Sequence, residues 1–233
     1  MRVRTATTTA VLGLTTVTVL ALPACSPDSS EAKPDPSTAH ADAPAHGERQ
    51  AAPLSSAALE TLLLDEGDLG SGYTRMSERA AQHDDVTVLG CPALDKLGGE
   101  AATGGPLDFR RKAKASFTYT PGSGAEVSEE LYSDSANKLS EGTGRIFAAM
   151  TGCPEYQILA GNNAIDVTTQ KTAAPPLGNE QWSQLLTFSA GGRNSVLKQT
   201  AIRTGNVLLV VSGSPALVDR HLDKALAKAT APR

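Results

Sequence analysis

The residue types in this chain that could carry chemistry are three cysteines, four histidines, one tryptophan and a few serine–lysine pairs. Ser135-Ala136-Asn137-Lys138 and Ser195-Val196-Leu197-Lys198 both read Ser-x-x-Lys, the spacing of a nucleophilic serine with a lysine base. That chemistry also needs Ser-Asp-Asn and Lys-Thr-Gly, and neither occurs. Ser195 and Lys198 fall on a predicted strand, where residues three apart point to opposite faces. Gly-x-Ser-x-Gly, His-Glu-x-x-His and a phosphate-binding glycine loop are missing. His40 and His46 sit in a Pro-, Ala- and Asp-rich stretch and read as solvated residues, not metal ligands. Of the other two, His83 and His221, the second lies on the last predicted helix and reads as a boundary residue, not a base. The run Phe109-Arg110-Arg111-Lys112-Ala113-Lys114 reads as a solvated loop and strand start, with an anionic-ligand site as the second reading. Trp182 reads first as core packing and second as groove lining. No catalytic residue, metal site or cofactor is assigned.

The N-terminus carries the most specific signal. Arg2 and Arg4 precede an uncharged stretch from Ala6 to Leu22 whose apolar residues cluster at Val11, Leu12, Leu14, Val17 and Val19 to Leu22. The stretch is too threonine-rich for a spanning helix of about 20 apolar residues and has the form of a signal peptide. Leu22-Pro23-Ala24-Cys25 resembles the lipobox of bacterial lipoproteins. The resemblance implies cleavage after Ala24 and a diacylglyceryl group on Cys25, then the first mature residue. A secretory signal with a chance cysteine is the alternative. One acyl chain anchors only marginally, at about 0.8 kcal/mol per buried CH2, whereas two hold stably. The expected location is the cell membrane, lipid-anchored, facing outside the cytoplasm. Arg2-Val3-Arg4 is not a twin-arginine pair, which favours the general secretion route.

Loss of residues 1–24 would remove two arginines and leave 19 basic against 25 acidic residues, about −6. An acidic surface argues against nucleic acid as a partner. Cys91 and Cys153 would be the remaining thiols, an even pair in an oxidising compartment, and are expected to form one disulfide. Each precedes a proline, which disfavours helix at the cysteine and sets both at element boundaries.

The elements that would position these residues follow from periodicity. Residues 25–53 read as the lipidated cysteine and a disordered tether that spans roughly 30 Å. The folded domain is placed at 54–233. A short helix capped by Ser55 or Ser56 carries Leu59, Leu62 and Leu63. Strands are predicted at Tyr73–Ser77 and Asp85–Leu89, a short helix from Pro92 to Leu97, and a loop from Gly98 to Gly105. Lys114–Thr120 and Glu126–Ser133 form a predicted hairpin, the second strand pointing Val127 and Leu131 to one face. A helix capped by Asp134 or Ser135 runs to Met150 with Leu139, Ile146 and Met150 inward. Further strands are predicted at Ile165–Thr172, Gln181–Ser189, Ser195–Arg203 and Val207–Val211, the last apolar on both faces and therefore central. Ser214 and Pro215 open a closing helix with Val218, Leu222, Ala225 and Ala229 on one face. The fold class is α+β: an antiparallel sheet with helices packed on it and one disulfide.

This order resembles the PknH-like extracellular (sensor) domain family of actinobacterial lipoproteins and kinase ectodomains. The likeness rests on Leu62-Leu63-Leu64, Asp68-Leu69 and Gly72-Tyr73, on a strand–helix unit ending at Cys153-Pro154, on Pro176-Leu177-Gly178, and on Arg203-x-Gly205-Asn206-Val207 with its closing helix. It covers roughly 54 to 231. The resemblance implies an extracytoplasmic domain with a groove for an unknown small ligand. The chain departs from the kinases in having no kinase or membrane helix and one possible disulfide instead of two. The expected function is a non-catalytic binding or sensor-like module for an unknown ligand or envelope protein. The alternative is a cell-envelope hydrolase with an unrecognised site.

Overall fold

The computed structural model describes residues 52–77, 86–98, 109–122 and 124–232. Ala24, Cys25, His40, His46, His83, the tether and most of the Gly98–Gly105 loop lie outside them. Among the described residues no helix is long and apolar enough to cross a membrane.

The folded part is one nine-stranded antiparallel sheet with helices on both faces. In chain order the elements are α1 (Ser56–Glu60), α2 (Glu66–Leu69), β1 (Tyr73–Arg75), β2 (Val86–Leu89), α3 (Pro92–Asp95), β3 (Lys112–Tyr119), β4 (Ala125–Ser133), α4 (Ala136–Gly152), β5 (Glu155–Ala160), β6 (Asn163–Lys171), β7 (Glu180–Ala190), β8 (Arg193–Thr204), β9 (Val207–Gly213) and α5 (Pro215–Ala229). The sheet order is β1-β3-β4-β9-β8-β7-β6-β5-β2. β5 to β8 form a meander of long hairpins, and β9 continues it to meet β4. The apolar run Val207–Val211 is buried throughout, as a covered interior strand requires.

Each face has its own core. On one, α1, α2 and α5 cover β1, β3, β4, β9 and β8 through Leu59, Leu63, Phe117, Leu131, Leu209, Val218 and Leu222. On the other, α4 covers Tyr132, Ala201, Leu208 and Val210 with Leu139 and Phe147, while Met150 and α3's Leu94 pack on Tyr156, Ile158 and Leu186. Cys91 and Cys153 are bonded, with Cα atoms 5.8 Å apart, and tie the start of α3 to the end of α4.

Two elements go beyond the sequence reading. β5 was not anticipated, and neither was α2, a single turn held by a capping box between Asp65 and Asp68. The inward stripe of α4 uses Phe147, with Ile146 only partly buried. The closing helix follows Ser214 and Pro215, although the Ser214 side chain makes no capping bond. Gly213 is at φ 145° where β9 passes β4, and a Cβ there would run into the Glu126 carbonyl oxygen. Gly178, at φ 69°, sits against the Arg203 carbonyl, 2.6 Å from where a Cβ would be.

Candidate functional site

One hollow lies between α4 and the strands β6 and β7. It has a volume of about 640 Å³ and is lined on the helix side by Gly144, Phe147, Ala148, Thr151 and Gly152. Gly144, Ala148 and Gly152 are four residues apart, so they share one face of α4 and leave it without bulk. The opposite wall is Trp182 with its neighbours Gln181 and Ser183 on β7, and the floor continues through Lys171 and Thr172 into Ala173 and Ala174.

Sheet register explains the placement. Lys171 pairs with Gln184, so it shares a face with Gln184 and, one alternation along, Trp182. Lys171 and Trp182 are thus diagonal neighbours beneath α4. Trp182 is half-buried, its ring 6.2 Å from that of Phe147. The strand β6 ends here because Pro175-Pro176-Leu177-Gly178 carries the chain away. Behind the groove, Thr172 Oγ1 donates to Ser183 Oγ at 2.9 Å, and Ser183 and Thr200 share a bond at 3.0 Å. Thr151 Oγ1 donates to the Phe147 carbonyl at 2.6 Å and keeps its capacity to accept. Lys171 is the one charged residue in the lining. Below the groove mouth, Glu180 accepts from Arg203 Nε at 2.8 Å and from Ser140 at 2.9 Å; the guanidinium holds its carboxyl below the usual range.

A second hollow of about 460 Å³ gathers Ser116, Ser128, Ser195 and Ser212 with Lys114. The Lys114 ammonium bonds Glu130 at 2.6 Å, so it is engaged as an ion pair there instead of facing a serine as a base. Glu130 also accepts from Tyr132. Among the described residues no cluster of three metal-ligating side chains occurs.

The residues singled out in the sequence are dispersed. Ser195 and Lys198 lie on opposite faces of β8, and Lys198 pairs with Asp219. Ser135 caps α4 by accepting from the Lys138 amide. Arg110, Arg111 and Lys112 are exposed, at the loop and start of β3. Trp182 meets both of its readings: it packs against the core at Phe147 and lines the groove. His221 corrects the sequence reading: it is 5 % exposed, not a boundary residue, and its Nε2 meets Tyr73 Oη at 2.6 Å. Burial, followed by the charges of Arg220 and Lys224, lowers its pKa.

Sequence reasoning missed a buried carboxylate. Glu129 on β4 is 2 % exposed beneath α1, α2 and α5. Its period-two position between Val127 and Leu131 already signalled an inward side chain.

No protein-family model matches the chain, and no curated protein matches it. Similar solved structures include the following two. The crystal structure of the extracellular domain of PknH from Mycobacterium tuberculosis aligns with a TM-score of 0.58 at 14% identity, covering 77% of this chain and 98% of that one. A putative uncharacterized protein, the Rv0999 ortholog from Mycobacterium smegmatis, aligns with a TM-score of 0.38 at 10% identity, covering 71% and 96%. The first likeness covers 98% of a solved domain at a TM-score above 0.5, so this chain, with its nine-stranded antiparallel sheet, has a PknH-like extracellular domain fold.

Proposed function

We propose that the chain is a lipid-anchored extracytoplasmic binding module that takes a small ring-shaped anionic ligand in the groove between α4 and β7. The observation that carries the reading is the composition of that groove: one indole, one alkyl-ammonium, hydroxyl and amide groups, and no carboxylate. The domain as a whole is acidic, so an isolated Lys171 in a concavity is a local field of opposite sign. Trp182 offers a flat electron-rich face to the C–H side of a sugar or similar ring. Lys171, diagonal to it, offers a cation to a carboxylate or phosphate. Thr151 adds a polar contact that fixes orientation.

The reading is non-catalytic because, among the described residues, these two hollows place no nucleophile next to a free base. The extracytoplasmic setting is supported by the signal-like N-terminus, by the Cys91–Cys153 bond and by likeness to an extracellular domain. Anchoring through Cys25 belongs to the same proposal.

Calorimetric titration of the full chain with N-acetylmuramic acid and with N-acetylglucosamine tests it. The two sugars share a ring and differ in a 3-O-lactyl group, which carries the carboxylate. The acid is expected to bind at least tenfold more tightly, Lys171→Gln to remove the difference, and Trp182→Leu to weaken both sugars by on the order of tenfold. Equal affinity of the two sugars removes the anionic part of the reading. Binding of the acid that survives Trp182→Leu unchanged removes the groove.

A further inference from the structure

The face opposite the groove carries a feature that ligand binding does not use. β4 points Glu129 inward between Ala115 of β3 and Val211 of β9, its register partners, and into the core under α1 and α5. One carboxylate oxygen, Oε2, accepts from the Leu64 amide at 2.7 Å. The other, Oε1, is buried and has no hydrogen-bond partner among the described residues. A carboxylate has room for about four such bonds. Leu64 lies in the short link between α1 and α2, the first segment of the folded domain.

We propose that Glu129 is a proton-dependent latch on the α1–α2 segment: neutral Glu129 holds the segment closed on the sheet, and ionised Glu129 loosens it.

The charged groups around it decide the direction. On α2 and its cap are Asp68 and Asp65; on α5 are Lys228, bonded to both, and Lys224, which bonds the Asp68 backbone carbonyl. Lys228 attracts the ionised Glu129, but its ammonium is already committed to the two aspartates, and Asp68 repels it. Further along α5, His221 is bonded to Tyr73 on β1, and Arg220 lies over Tyr119 on β3. The strand neighbours Ala115 and Val211 carry no charge. Burial therefore dominates and pushes the Glu129 carboxyl up to about 7, the Leu64 bond opposing it. A carboxyl raised in the folded state contributes stability that is complete below the unfolded value of 4.5 and lost as pH rises through about 7. His221, lowered in the folded state, works on the acid side, where its protonation costs stability as pH falls. His221 contacts Tyr73 on β1 and not the α1–α2 segment, so the pH response of that segment is set by Glu129.

The test follows the Glu129 carboxyl carbon by NMR in the full chain, together with hydrogen exchange at Leu63 to Asp65. The expected result is ionisation near neutrality. Amide protection, corrected for the intrinsic pH dependence of exchange, should fall by on the order of 10- to 100-fold from pH 5 to pH 8. Glu129→Gln, which keeps the Leu64 acceptor and removes the charge, should abolish that fall. Ionisation of wild-type Glu129 in the ordinary carboxylate range would overturn the proposal without any variant. So would an unchanged fall in protection in Glu129→Gln.

Discussion

Single residues in this fold are set by what their strand partners leave open. Trp182 is the one tryptophan of the chain, and it stands beside Phe147 where the face of α4 at Gly144, Ala148 and Gly152 carries little side chain. Its emission therefore reports on the groove wall. Ala148→Leu should fill the hollow with side chain, shift that emission to shorter wavelength and abolish ligand binding, with little change in stability because the site is exposed. A ligand affinity that Ala148→Leu leaves intact would place the binding elsewhere. Gly213 makes the opposite kind of prediction. Its φ of 145° and its approach to Glu126 admit no Cβ, so Gly213→Ala should cost roughly 2 kcal/mol or more in chemical denaturation. At this scale the sequence was informative where period two could be followed. The alternation that points Val127 and Leu131 inward also points Glu129 inward, and only the habit of placing charge outside hid it. His221 and Tyr73 could not be paired from sequence, because 148 positions separate them.

Among the elements, the long strands β7, β8 and β9 and the helix α5 were legible because alternation, the Gly205-Asn206 turn and a four-residue apolar stripe are local signals. α2 was not, since Glu-Gly-Asp-Leu has no helical pattern; its turn exists through the Asp65–Asp68 capping box and through Lys228 on α5. β5 was hidden by its short, mixed sequence behind Pro154, and it forms because β6 and β2 flank it. The groove needs α4, the end of β6 and the start of β7 at once, which no single segment announces. The disulfide is an element-scale staple. It closes 62 residues of chain and links α3 to α4, so reduction should cost roughly 2–4 kcal/mol. The loss should fall on α3, β2 and β5, while β9 and α5 keep their exchange protection. Uniform loss of protection over the whole sheet would mean that the bond supports global folding and not one edge.

For the whole molecule, the chain enters the folded domain at one end of the sheet: Asn206 donates to the Ala52 carbonyl at 2.6 Å, and the Leu54 amide donates to Ser133 at 2.9 Å. The register from Ser133 through Val207 and Thr204 to Glu180 puts the start of β7, and with it the groove, toward that same end. The proposed anchor at Cys25 precedes this entry point in the sequence. Cys25→Ser should shift the protein from the detergent phase to the aqueous phase, or leave it unprocessed. Retention of a cleaved Cys25→Ser protein in the membrane would remove the lipid anchor from the account.

The central claim is that the domain binds in the α4–β7 groove and returns its ligand unchanged. It is tested most directly by NMR of the isotope-labelled chain incubated with N-acetylmuramic-acid-containing disaccharide, observing protein amides and sugar signals in the same sample. The account expects shifts confined to 144–152 and 171–183, saturating with ligand, with the disaccharide intact at the end. Shifts centred on the serine hollow around Ser116, Ser128 and Ser212, or the appearance of cleaved sugar, would contradict it.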